Sequence, residues 1–161
     1  IWTNDDIYLL SPVLLGHLEI PKAKGLLDPV NYNGFYRENM SRTIELLLEN
    51  ECSTIDYGTN TPIVYNKYKL VEMFEKHPEL LTGGYLLSSF YFNWMRDIKP
   101  IYLDWKNDMW AISIVSKTPD PELFDKFVAE KLFLNNAESG YSEWFESKLN
   151  ELFPQKSSFE K

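Results

Sequence analysis

The residues able to do chemistry in this chain are few and widely spaced. Metal sites need His, Cys or carboxylates at ligand spacing. His17 and His77 stand 60 positions apart, and neither falls in an HxxxH or HExxH pattern. Glu79 follows His77 by two positions, which is not same-face helical spacing. Both histidines therefore read as surface or helix-end residues, and no metal and no cofactor is expected. A thiol nucleophile would need Cys52 beside a base. Nothing near it in sequence supplies one, so it reads as a small buried side chain after a helix. Gly83-Gly84 follows Thr82 without the Lys-Ser or Lys-Thr of a phosphate loop. It reads as a tight approach to a helix.

The one stretch with a chemical pattern is 102–110. Asp104 and Asp108 flank a turn and could do acid–base work as a pair. Asp104-Trp105-Lys106 also has the D-x-K spacing seen in metal-dependent nucleases of the restriction-endonuclease kind. There Asp holds Mg²⁺ and Lys steadies the attacking water. That chemistry also needs an acidic residue on a neighbouring strand, and the nearest candidate, Asp97, reads as a helix terminus. A small nuclease using Asp104 and Lys106 is therefore an alternative and not the main expectation. Rings interleave with carboxylates in the same stretch, at Tyr102, Asp104, Trp105, Asp108 and Trp110. Trp and Tyr beside carboxylates describe a surface that meets an Arg- and Lys-rich protein. These five residues are the expected partner-binding set, with Asp56 and Tyr57 as a secondary one.

Charge points the same way. The chain holds 24 acidic and 16 basic side chains, a net of −8. Residues 1–60 carry nine acids and four bases, and residues 117–161 nine and six. Phosphate binding needs clustered Lys and Arg, so nucleic acid and anionic membrane are disfavoured as partners. Five Trp, ten Tyr and ten Phe are more rings than 161 residues easily bury, so some must face solvent or a partner. Ile1–Leu15 starts with Asn4, Asp5 and Asp6 where a secretion signal would have a basic patch. No apolar run nears the roughly 20 residues of a membrane span. A single Cys forbids an internal disulfide. A cytoplasmic location is expected.

The elements that must position these residues follow from period and punctuation. Ile7–Leu10 has strand character. Ser11-Pro12 starts a short helix over Val13–Glu19. Ile20–Tyr32 reads as loop. Phe35–Asn50 is a helix with Tyr36, Met40, Ile44, Leu47 and Leu48 on its stripe. Thr54 and Ile55 are weakly strand-like, and Asp56–Asn60 is a turn. Lys67–Lys76 is a helix ended by His77-Pro78. Thr82–Asp97 gives the strongest amphipathic pattern, with Thr82 as N-cap. Pro100–Ser116 alternates as a hairpin would, about a turn at Lys106-Asn107-Asp108. Thr118–Leu134 returns to the helical period, Asn135–Gly140 connects, and Tyr141–Phe153 closes the fold. The reading is a helix-dominant α+β domain over 1–154, with a small antiparallel sheet or hairpin near 100–116. Residues 155–161 read as a flexible polar tail.

In size, acidity and aromatic content the chain resembles the immunity proteins of bacterial toxin–immunity pairs, such as those of contact-dependent growth inhibition. The likeness carries no motif, so no residue is transferred from it. It implies an acidic, non-catalytic protein that neutralises a basic protein such as a toxin nuclease domain. A structural or adaptor domain of a larger assembly is the other reading.

Overall fold

The computed structural model describes residues 1–3 and 6–155. Its elements run β1 (Ile7–Leu9), α1 (Leu15–Glu19), β2 (Lys22–Ala23), β3 (Gly25–Leu26), α2 (Gly34–Glu49), β4 (Ile55–Asp56), α3 (Lys67–Lys76), α4 (Leu87–Trp94), β5 (Ile101–Tyr102), β6 (Ala111–Ile114), α5 (Pro121–Glu130), β7 (Phe133–Asn136) and α6 (Glu143–Leu152). Short 3-10 turns lie at Pro29–Asn31, Pro78–Thr82 and Glu138–Gly140. Helix, with the 3-10 turns, makes up 46% of the described residues and the sheets have two or three short strands, so the fold is helix-dominant α+β. Of the polar tail, only Gln155 lies within the described residues. The chain falls into two compact units: Ile1–Thr3 with Val13–Asp104, and the described part of Asn4–Pro12 with Trp105–Lys161.

The first unit is built around α4. Ser89 to Asn93 are all buried in it. Phe90, Tyr91 and Phe92 share a core with Met40 and Leu47 of α2, Met73 of α3, and Ala23, Leu27 and Tyr57. A helix buried all round must satisfy its polar groups internally. Asn93 does so completely. Its amide donates to the carbonyls of Ile55 (2.8 Å) and Ser89 (2.7 Å). Its oxygen accepts from the Ile55 N–H (3.1 Å) and the Ser53 hydroxyl (2.6 Å). Ser89, one turn earlier, accepts the Tyr57 N–H at 3.0 Å. The helix thus hydrogen-bonds the outer edge of β4 as a neighbouring strand would. On its other side β4 pairs antiparallel with β3, and β2 pairs parallel with β5. Gly25, at φ 145°, makes the change of partner between β2 and β3 possible.

The segment read as loop, Ile20–Tyr32, therefore carries two of the strands in this unit. The helix expected over Thr82–Asp97 is shorter. Gly83 (φ 80°) and Gly84 (φ 84°) hold a left-handed backbone, so α4 begins only at Leu87. Thr82 does not cap it, because its hydroxyl donates to the Glu79 carbonyl within the preceding turn (2.7 Å). The Leu86 N–H at the helix start donates instead to Thr43 Oγ1 on α2, 2.8 Å away.

The second unit is a three-stranded sheet, order β1-β7-β6, with α5 and α6. β1 runs antiparallel to β7 and β6 parallel to it. Parallel neighbours need a long crossover, and α5 supplies it. Phe124, Phe127 and Phe145 from the helices share a core with Ile112, Ile114 and Leu134 of the strands, and Tyr8 packs against it. Asp120 caps α5 by accepting the N–H groups of Glu122 and Leu123, and Ser142 caps α6 through the Phe145 N–H. A Cβ on Gly140 would run into the Ile114 carbonyl, which explains the glycine after β7.

Two expectations are corrected here. The strands predicted within 100–116 exist, at β5 and β6, but they form no hairpin: β5 pairs with β2 and β6 with β7. Alternation identified strands without identifying partners. The helix read over Thr118–Leu134 ends at Glu130, and Phe133–Asn136 is the central strand. Its buried run, FLN, satisfies a helical stripe and a strand flanked on both sides equally well.

Candidate functional site

In the second unit the turn 105–109 is fastened to α5 at two points one helical turn apart. Trp105 meets Phe127 edge-on, with ring centroids 6.1 Å apart. Four residues further, the Lys131 ammonium donates to the Asp108 backbone carbonyl and lies 3.3 Å from its carboxylate. The Lys131 side chain is 0% exposed, and its ammonium also lies over the Phe127 ring. Asp108 further accepts the Trp110 N–H at 2.8 Å. The turn is therefore tied to α5 at both points, while Trp105 stays 52% exposed and Met109 is exposed in the same turn. Lys106 places its ammonium over the outer ring, 5.2 Å from the centroid. Leu123 is exposed on α5, one turn before Phe127.

The second unit as a whole is acidic. Among the described residues the second unit has ten acidic and five basic side chains, a net of −5. Asp120, Glu122, Asp125, Glu130, Glu138, Glu143, Glu146 and Glu151 are all exposed. Lys131 is the one base taken out of the surface, and Asp108 balances it.

The seven residues expected to bind a partner thus separate. Trp105 is exposed in the second unit, and Tyr102 (60%) and Asp104 are exposed in the first. Four are corrected. Trp110 is buried, and Asp108 is a hydrogen-bonding partner inside its unit. Asp56 is buried, accepting the Gly58 N–H at 2.8 Å and facing the Ser89 hydroxyl. Tyr57 is a core ring, tilted against Phe92 at 4.9 Å. Burial, and then the neighbouring Tyr102 phenol, pushes the Tyr57 hydroxyl up to about 12.

The remaining chemical candidates are occupied structurally. Cys52 is buried after α2 and donates to the Asn50 carbonyl. His77 ends α3 and contacts Glu79 at 3.2 Å, the pairing that a helical spacing rule would miss. Asp97 lies in a bend beyond α4 and not on a strand beside Asp104. Among the described residues no group of three or more His, Cys, Asp or Glu could hold a metal ion. A small surface depression in the first unit is lined by Lys22, Tyr57, Thr59, Thr61 and Phe92 among others. Lys22 is buried there and donates to the carbonyls of His17 (2.7 Å) and Ile20 (2.8 Å). It thereby caps the end of α1, and burial pulls its ammonium down to about 8.

Sequence reasoning did not single out a further group of exposed apolar residues. Leu26, Val30, Tyr32, Phe35 and Tyr36 are all exposed in the first unit. Phe35 was legible as an apolar residue one position off the α2 stripe. Tyr36 falls on that stripe in sequence, yet it is exposed, with its ring 4.9 Å from that of Tyr32. Burial and the Asp56 carboxylate push its phenol up to about 12.

No protein-family model, no curated protein and no solved structure matches this chain. No helix among the described residues is long and apolar enough to cross a membrane.

Proposed function

We propose that the chain is a non-catalytic binding protein that neutralises a basic protein, specifically a cognate bacterial toxin, as immunity proteins do. The supporting observation is Trp105: an exposed indole on a turn tied to α5 through Phe127 and Lys131, in a unit of net charge −5. Binding energy concentrates in Trp, Tyr and Arg anchors on preorganised surfaces. A negatively charged unit raises the association rate of a positive partner and rejects acidic ones. A toxin nuclease must be positive where it holds phosphate, so its inhibitor gains by being negative. The D-x-K alternative has no comparable support, because Asp97 does not stand where that chemistry needs its second carboxylate.

The test is co-expression with the toxic domain encoded by the neighbouring reading frame. Growth should be restored by the wild-type chain. Trp105→Ala should weaken binding of the purified toxic domain at least ~30-fold, the loss typical of a hot-spot Trp. Asp104→Lys should slow association at low salt and have little effect at high salt. A toxic domain that the chain fails to neutralise, or a Trp105→Ala variant that binds it like wild type, overturns the reading.

A further inference from the structure

Among the described residues Asp56 is the one buried acidic residue, 5% exposed on β4. Both of its close contacts fall on a single oxygen. Oδ1 accepts the Gly58 N–H at 2.8 Å and the Ser89 hydroxyl at 3.5 Å. Among the described residues Oδ2 accepts no hydrogen bond, and no lysine, arginine or histidine forms an ion pair with the group. Lys24 donates its backbone N–H to the Asp56 carbonyl, but the residue itself is exposed. A buried charge without a counter-ion is costly, and native folds rarely keep one without a use.

Gly58 leaves a gap beside this carboxylate. It is half-buried, and its φ is not positive, so its backbone does not call for glycine. A Cβ there would stand 3.0 Å from Asp56 Oδ1 and 3.6 Å from the Tyr36 hydroxyl oxygen. The missing side chain thus leaves room between a carboxylate and a phenol. Tyr36 is 39% exposed, and its hydroxyl makes no hydrogen bond among the described residues. Its ring tilts against that of Tyr32. Carboxylate and phenol oxygens both accept N–H bonds, and tyrosine rings attract cations.

We infer that Asp56, Tyr36 and the gap at Gly58 form a binding site for a primary ammonium group, carried by a small amine or by a lysine side chain. The nitrogen donates to Asp56 Oδ2 and to the Tyr36 hydroxyl oxygen, and it supplies the positive charge that the carboxylate lacks. An ammonium is compact, which suits a gap this close to both oxygens. A divalent metal ion fits less well, because Ca²⁺ and Mg²⁺ sites need more oxygen ligands than one carboxylate provides. The site lies in the first unit and shares no residue with the turn 105–109, so its test is separate from toxin neutralisation.

Titration of the full chain with n-butylammonium chloride, at ionic strength held constant with NaCl, tests this by amide NMR. The amides of 57–59 are the reporters, since that of Gly58 donates to Asp56. A saturable shift is expected, with a dissociation constant on the order of 1–10 mM. Asp56→Asn, which removes the charge, and Gly58→Ala, which fills the gap, should each weaken binding at least ~10-fold. Tyr36→Phe should weaken it about 5-fold. Tetramethylammonium, which has no N–H to donate, should leave the reporters in place. Asp56→Asn keeps an acceptor for the Gly58 N–H and should raise the urea midpoint of the free chain, because it removes an unbalanced buried charge. Tetralysine separates the two sources. Affinity within about four-fold of butylammonium marks a small-amine site, and a greater affinity that still needs Asp56 marks a lysine side chain. Reporters that do not move, a response unchanged in Asp56→Asn, an equal response to tetramethylammonium, or an Asp56→Asn chain less stable than wild type overturns the inference.

Discussion

Removing the carboxylate of Asp108 should damage the second unit far more than removing its partner's charge. Lys131 Nζ is wholly enclosed, and it contacts the Asp108 carbonyl and carboxylate. Asp108→Ala strands a buried ammonium, an error that costs about 3–5 kcal/mol. It also removes the acceptor of the Trp110 N–H, worth a further ~1 kcal/mol. Lys131→Met keeps the length and apolar stem while deleting the charge. The remaining carboxylate is 15% exposed and keeps the Trp110 N–H, so the loss should stay near ~1 kcal/mol. Adding Lys131→Met to Asp108→Ala should therefore restore most of the lost stability, an inverted order for a simple pair of contacts. Guanidinium unfolding gives the totals, and hydrogen exchange of peptides spanning 105–134 assigns them to this unit. Because the pair is buried, the cost should persist in high salt. An Asp108→Ala loss below ~1 kcal/mol, or no rescue by Lys131→Met, would refute the reasoning.

Two further outcomes are expected. Asn93→Ala leaves the N–H and carbonyl of Ile55 and the Ser53 hydroxyl without their buried partner, so it should cost about 3 kcal/mol in denaturant unfolding; a loss under ~1 kcal/mol would mean that water replaces the amide. Lys22 should make the protein more stable as pH rises. The unfolded lysine titrates near 10.5 and the folded one near 8, so between these values the unfolded chain binds the extra proton and stability climbs with pH, by up to ~3 kcal/mol. Tyr36 and Tyr57 act oppositely above pH 10, because their folded pKa of about 12 exceeds the unfolded value. A stability maximum near pH 10 that Lys22→Met abolishes is the predicted profile, and a flat curve between pH 8 and 10 would contradict it.

Local signals in the chain proved readable where local physics decides. The Lys67–Lys76 helix matches residue for residue, with its end at His77-Pro78, because a cap and a proline define it. The fold class follows from periods alone. Strand partners do not. Ile101–Tyr102 and Ala111–Ile114 alternate as expected, yet the first pairs with β2, 79 positions earlier, and the second with β7, 22 positions later. Alternation reports that one face is buried and says nothing of which strand lies alongside. The helical stripe of α4 misled in another way. The pattern over Thr82–Asp97 reads as amphipathic, but Ser89 to Asn93 are all buried, and Ser89 and Asn93 are interior hydrogen-bonding groups.

The same distinction governs the site. Sequence showed rings alternating with carboxylates at 102–110, but composition cannot separate a carboxylate that faces a partner from one that faces Lys131. Asp108 and Trp110 hold the turn, while Trp105 is displayed by it. Supporting and presented residues are neighbours in the chain because a fastened turn needs both. Charge reversal at Asp108 would therefore abolish binding for the wrong reason, by placing a second ammonium against a buried one. Under the proposed function, Trp105 is the position in this unit at which a loss of affinity would report on the surface itself, provided the exchange protection of 105–134 is unchanged.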